Sequence, residues 1–181
     1  MRIGLIICSF AGLLAVMAPA NSALAGSASE AAFYANVAGK WSGGGEIVAG
    51  KFKGTKFNCL FQGTPKGSAS GIDIDGSCRV GVFSQPMTAS FKRSGGSYSG
   101  KFLDGAAGEG MDIVGGSYSR SKLVANIRRK DLNGVMVARH TDDDKLNITI
   151  SVRVNRRLIP VIGMLLDRRD GIDNVVTSSV K

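Results

Sequence analysis

The residues of this 181-residue chain that could do chemistry are three cysteines, one histidine and a few clustered carboxylates. A zinc site needs several cysteine or histidine ligands. Cys8 lies in an apolar leader-like stretch, which leaves Cys59, Cys78 and His140, too few for that site. A Ser-His-Asp triad would have to use His140. Its acidic neighbours, Asp142, Asp143 and Asp144, read as a turn, and no G-x-S-x-G elbow exists. The expectation is a solvent-facing histidine near a hairpin. Asp73-Ile74-Asp75-Gly76 resembles the start of a calcium loop but lacks the closing glutamate. We read it as a bulge or turn, and Asp142 to Asp144 as a solvated turn. Gly43-Gly44-Gly45 and the stretch Gly105 to Gly110 are glycine-rich, yet neither opens a helix after a strand as a phosphate loop does. The first fits a bend or close approach inside a strand, the second a rim loop. The chain is expected to have no catalytic residue, no metal and no cofactor.

Charge is the second resource. The sequence has 23 Lys and Arg against 14 Asp and Glu, a formal net charge of +9. The bases cluster as Lys51, Lys53 and Lys56, as Arg128-Arg129-Lys130, as Arg156-Arg157 and as Arg168-Arg169. Acids are sparse near two of these clusters. Asp131 is the only immediate one beside Arg128-Arg129-Lys130, and Arg156-Arg157 has none within several residues. Such clusters at turns suit an anionic surface: lipid headgroups, lipopolysaccharide or acidic polysaccharide. The plainer alternative is a solubilising surface. No aromatic platform accompanies them, so nucleic acid is not expected.

The first 25 residues read as an export signal. Arg2 supplies the positive end, Ile3 to Ala18 is almost wholly apolar, and Ala23-Leu24-Ala25 follows Pro19 as a small-x-small cleavage site. The alternative is an uncleaved membrane anchor. Cleavage after Ala25 would start the mature chain at Gly26, in the periplasm or outside the cell, with no transmembrane segment left. Cys59 and Cys78 would then be its only cysteines, and an even pair in an exported domain reads as a disulfide.

The elements that must position these groups are mostly strands. One short N-terminal helix is predicted within 26–38, capped by Ser27 or Ser29, with Glu30 in its first turn and an apolar side of Ala31, Ala32, Phe33, Tyr34 and Val37. From 39 to 169 the chain reads as strands near 41–49, 55–63, 71–83, 87–93, 97–104, 111–118, 121–129, 134–140, 145–154 and 158–167, with a frayed tail over 170–181. Ile72, Ile74, Cys78, Val80 and Val82 share a parity, as do Leu146, Ile148, Ile150, Val152 and Val154. That is one buried and one wet face per strand. Without intervening helices the sheet must be antiparallel. The expected fold is all-β: a single antiparallel up-and-down β-barrel of about 8–10 strands, which leaves no open edge. A two-sheet sandwich is the alternative. In either, pairing of 55–63 with 71–83 can set Cys59 opposite Cys78.

Gly39-Lys40-Trp41, after a helix and at the start of the first strand, resembles the G-x-W signature of the calycins: lipocalins, avidin-like proteins and bacterial metalloprotease inhibitors. The lipocalin T-D-Y motif is missing; His140-Thr141-Asp142 only echoes it. The resemblance implies that Trp41 packs at one end of a barrel and that a late basic residue, Arg168 or Arg169, covers it. It also implies a binding cavity or an inhibitor surface. The resulting expectation is an exported, non-enzymatic barrel that binds a small amphiphile or an anionic component of the cell envelope. The alternatives are a protease inhibitor or other protein-binding module and, third, an enzyme without a recognisable motif.

Overall fold

The structure is a computed structural model that describes residues 22–103, 110–142 and 144–169. Most of the predicted leader, the rim loop 104–109, Asp143 and the tail 170–181 lie outside the described residues.

A helix, α1 (Ser22–Val37), precedes ten strands. They are β1 (Gly39–Ile47), β2 (Lys56–Pro65), β3 (Gly71–Val80), β4 (Phe83–Ser94) and β5 (Ser97–Leu103), then β6 (Met111–Ser119), β7 (Lys122–Arg129), β8 (Leu132–Asp142), β9 (Lys145–Val154) and β10 (Arg157–Arg168). Each strand pairs antiparallel with its neighbours in sequence, and β1 pairs with β10, which closes the barrel. Closure supplies every strand with two partners and removes the free edge that a sandwich would leave.

Several local expectations are corrected. The helix begins at Ser22, before the expected caps at Ser27 and Ser29, so Glu30 lies in its interior and is buried. Glu30, Phe33, Tyr34 and Val37 fall at i, i+3, i+4 and i+7 and form the buried stripe, while Ala32 is exposed. Asp75-Gly76 is neither turn nor bulge: Gly76 lies within β3, opposite Phe61 and Met87. The third strand ends at Val80 instead of running to 83. Gly81 adopts φ 56° and turns the chain, so Val82 does not continue the inward row; it is 89% exposed at a hairpin tip.

The barrel is asymmetric along its axis. At the end where α1 docks, Trp41, Ile72, Phe91, Tyr98, Leu123, Leu146 and Leu166 form a buried floor against Phe33, Tyr34 and Val37. Gly63 permits this docking: a Cβ there would lie 2.4 Å from the Val37 carbonyl oxygen. Gly43 and Gly45 face inward in β1, and a Cβ at Gly45 would lie 2.4 Å from the Phe57 ring. The glycine run therefore makes room for a large side chain crossing the seam. Among the described residues no helix is long and apolar enough to cross a membrane.

Candidate functional site

Trp41 is 2% exposed and donates its indole N–H to the Val37 carbonyl at 2.9 Å. The Arg168 guanidinium lies 4.4 Å from the centre of that ring. It also donates to the Ala38 carbonyl at 2.8 Å and to the carbonyl of Asn36. A cation and an indole N–H thus satisfy carbonyls at the helix C-terminus, where the helix dipole favours positive charge. Arg169 instead donates its backbone N–H to Lys40. His140 does not face solvent as expected. It shares the inward parity of Met136 and Ala138, its ring stands edge-on to Trp41 at 6.2 Å, and its Nε2 is buried without a hydrogen-bond partner.

Beside this floor lies a polar latch. Tyr34 donates its hydroxyl to Glu30 at 2.8 Å, and Arg93 approaches the same carboxylate at 3.3 Å. Burial, then a hydrogen bond to Glu30, push the Tyr98 hydroxyl up to about 12, and the same causes push Tyr34 further. Sequence reasoning missed this group because Glu30 and Arg93 are 63 residues apart and only the closed barrel brings them together.

Away from the floor the interior mixes buried and partly buried apolar side chains. Inward side chains carry the odd numbers of β1 and β2 and the even numbers of β3, β8 and β9, as the buried positions show. Met87, Met111, Met136 and Met164 all take inward positions and stay only partly buried. So do Ile74 and Ile148, which are deep within their strands, well away from the rim turns at the ends of β3 and β9. Phe57, Cys59, Ile113, Ile127 and Ile150, nearer the end opposite the helix, are buried, and Ile74, Ile148, Met111, Met136 and Met164 pack against that core. Methionine gives such an interior a flexible, polarisable filling.

The mouth of the barrel is the end opposite α1, where among the described residues the β1–β2, β3–β4, β7–β8 and β9–β10 connections lie. Among the described residues ten large apolar side chains stand exposed there: Val48, Phe52, Val80, Val82, Phe83, Leu103, Leu132, Val154, Leu158 and Ile159. The structure divides the eight predicted anion-binding bases. Lys56 and Arg128 point to the outer wall, opposite Glu46 and Asp112 respectively, so two of the bases have acidic cross-strand neighbours that the sequence did not reveal. Lys51, Lys53, Arg129, Lys130, Arg156 and Arg157 ring the mouth, where Asp131 is the acid among the described residues.

Cys59 and Cys78 are direct register partners and form a disulfide, with Cα atoms 4.0 Å apart and Cys59 buried in the wall. Asp73 does not face a cation loop; its carboxylate takes a hydrogen bond from Lys66 at 2.6 Å, which holds its pKa below the usual range. Among the described residues no group of three or more His, Cys, Asp or Glu is placed to hold a metal ion. A shallow groove of about 540 Å³ runs over the β9–β10–β1–β2 seam; Glu46 and Lys56 are its charged lining.

No protein-family model matches the chain, and no curated protein matches it. The fold is similar to that of Rv2717c from M. tuberculosis. The two share 13% identity at a TM-score of 0.54, over 74% of this chain and 93% of that one. At that identity the likeness carries the fold alone.

Proposed function

We propose that this protein is a non-enzymatic binding barrel, calycin-like in design, that holds a small anionic amphiphile, its tail in a cup opened among the partly buried inward side chains and its head at the cationic mouth. The observation that carries this reading is the set of partly buried inward apolar side chains, Met87, Met111, Met136 and Met164 among them, below a rim of lysines and arginines. An apolar cavity with a few charged groups at its opening is the arrangement that binds one end of a molecule by burial and the other by charge. Free amphiphile and an anionic envelope lipid or lipopolysaccharide present the same chemistry. The rival reading, a protein-binding module that uses the helix, is disfavoured because the apolar stripe of α1 is already buried on the barrel floor.

We further propose export to the periplasm or beyond. The leader-like sequence supports it, and so does a disulfide that an oxidising compartment would maintain. Cleavage after Ala25 would remove only the first turn of α1 and keep its whole buried stripe from Glu30 to Val37. N-terminal sequencing of the exported protein should read from Gly26; a membrane-held chain starting at Met1 contradicts export by this route.

Native mass spectrometry of protein from its own host tests the cup. A retained mass that Ala89→Trp abolishes is the expected result, since Ala89 faces the interior between Ile74 and Phe102. Absence of any ligand, together with failure of dodecyl sulfate or a fluorescent fatty acid to bind below its micellar concentration, would overturn the reading.

A further inference from the structure

The mouth carries apolar side chains where a soluble rim needs none. Val82 and Phe83, at the β3–β4 tip, are 89% and 78% exposed, and Phe52 on the β1–β2 connection and Leu132 at the start of β8 are 63% and 60% exposed. At the helix end the connections are Pro65 to Ser70, Ser94 to Ser97, Ser119 to Lys122 and Asp142 to Lys145, and no large apolar side chain among the described residues stands exposed on them. Leu60, Val114 and Leu165 are exposed on the outer wall, but the mouth gathers most of the exposed large apolar side chains at one end, and such a gathered patch marks an interaction surface.

Cations stand on the β1–β2, β7–β8 and β9–β10 connections of the same end. Lys51 and Lys53 flank Phe52, with the Lys51 ammonium 5.7 Å from its ring. Backbone hydrogen bonds from Lys53 to Gly50 and from Thr55 to Phe52 hold this loop in shape. Lys130 stands close to Leu132 in sequence, and Arg156 is at the tip of the β9–β10 hairpin. Interleaved aromatic or aliphatic tips and basic residues on one face meet both halves of an anionic bilayer surface: headgroup charge and the acyl boundary beneath it.

We infer that the mouth of the barrel docks on an anionic lipid bilayer, with Phe52, Val82 and Phe83 inserted and Lys51, Lys53, Lys130 and Arg156 on the headgroups. Docked this way, the cup opens directly onto the membrane and the helix end faces water. The inference does not require the cup to hold a ligand; it places the lipid surface against the rim.

The test is co-sedimentation with phosphatidylcholine vesicles, with and without phosphatidylglycerol. The protein should bind only the anionic vesicles and release as salt rises. Val82→Ser with Phe83→Ser removes the inserted pair without changing charge and should weaken binding roughly tenfold. Arg156→Gly should weaken it roughly fivefold. Arg156 holds a φ of 67°, which glycine accepts more readily, so this variant folds at least as well as the parent and a loss of binding cannot be charged to misfolding. Phe83→Trp should shift its emission to the blue on anionic vesicles, while Ser97→Trp at the helix end should not. Binding unchanged by the tip substitutions, or equal blue shifts at both ends, overturns the inference. So does a concentration-dependent dimer that the Val82 and Phe83 substitutions abolish, because a second copy would then be the occupant. Dodecyl sulfate binding without vesicles should survive the Val82 and Phe83 substitutions, which separates failure of docking from failure of the cup.

Discussion

Glu30 is a carboxylate on a helix face that, among the described side chains, otherwise carries Phe33, Tyr34 and Val37 into the core. Burial of a charge is costly unless partners meet it. Here the Tyr34 hydroxyl and the Arg93 guanidinium do so, from the helix itself and from β4. The pair therefore ties the plug to the wall. Because Arg93 is about a third exposed, removing its partner should cost less than breaking a fully buried pair: Glu30→Ala should lower stability by about 2–3 kcal/mol in urea unfolding, and Glu30→Gln by less. Tyr98 gives a pH test of the same cluster. Its folded pKa, about 12, exceeds the ordinary value near 10. The unfolded chain thus loses this proton first as pH rises, so the associated stability is complete below pH 10 and is lost between about pH 10 and 12. A tenfold difference in proton affinity between the folded and unfolded chain is worth about 1.4 kcal/mol. Tyr98→Phe should flatten the alkaline fall in stability over that window; an unchanged slope would show that other groups govern it.

At the scale of elements, register decides what each residue becomes. The number and order of strands are legible in the sequence because alternation and turn residues are local signals; all ten expected segments are strands. The disulfide is legible for the same reason, since a hairpin of two adjacent strands sets Cys59 against Cys78. Strand ends are less so. Val80 and Val82 share parity in the sequence, and only the positive φ of Gly81 separates a wall residue from a tip. His140 escapes a sequence reading because its row of inward partners, Met136 and Ala138, extends to the strand's end under Trp41. The disulfide joins residues 19 apart, a loop for which chain entropy gives about 3 kcal/mol. Cys59→Ser should therefore cost roughly 2–5 kcal/mol, and thiol titration of the unreduced, denatured protein should find no free thiol at Cys59 or Cys78.

Across the whole molecule one axis organises everything: helix, floor and latch at one end, exposed apolar tips and a basic mouth at the other. The composition carries the charge, but nothing local says which bases share an end, because that follows from closure and strand parity. The two arginines Arg128 and Arg157 make the difference measurable. Arg128 points outward opposite Asp112, whereas Arg157 pairs in register with Val154 on the row that faces the mouth. An amphiphile whose tail fills the cup would bring its headgroup toward Arg157 and leave Arg128 on the outer wall. Exposed charge pairs contribute up to about 1 kcal/mol, so Arg157→Ser should weaken binding of dodecyl sulfate by a few-fold and reduce its salt dependence. Arg128→Ser should leave both nearly unchanged, and neither substitution should affect an uncharged detergent of the same chain length. Equal losses from the two would mean that the net charge, and not the geometry of the mouth, attracts the anion. Isothermal titration at low and high salt distinguishes these outcomes.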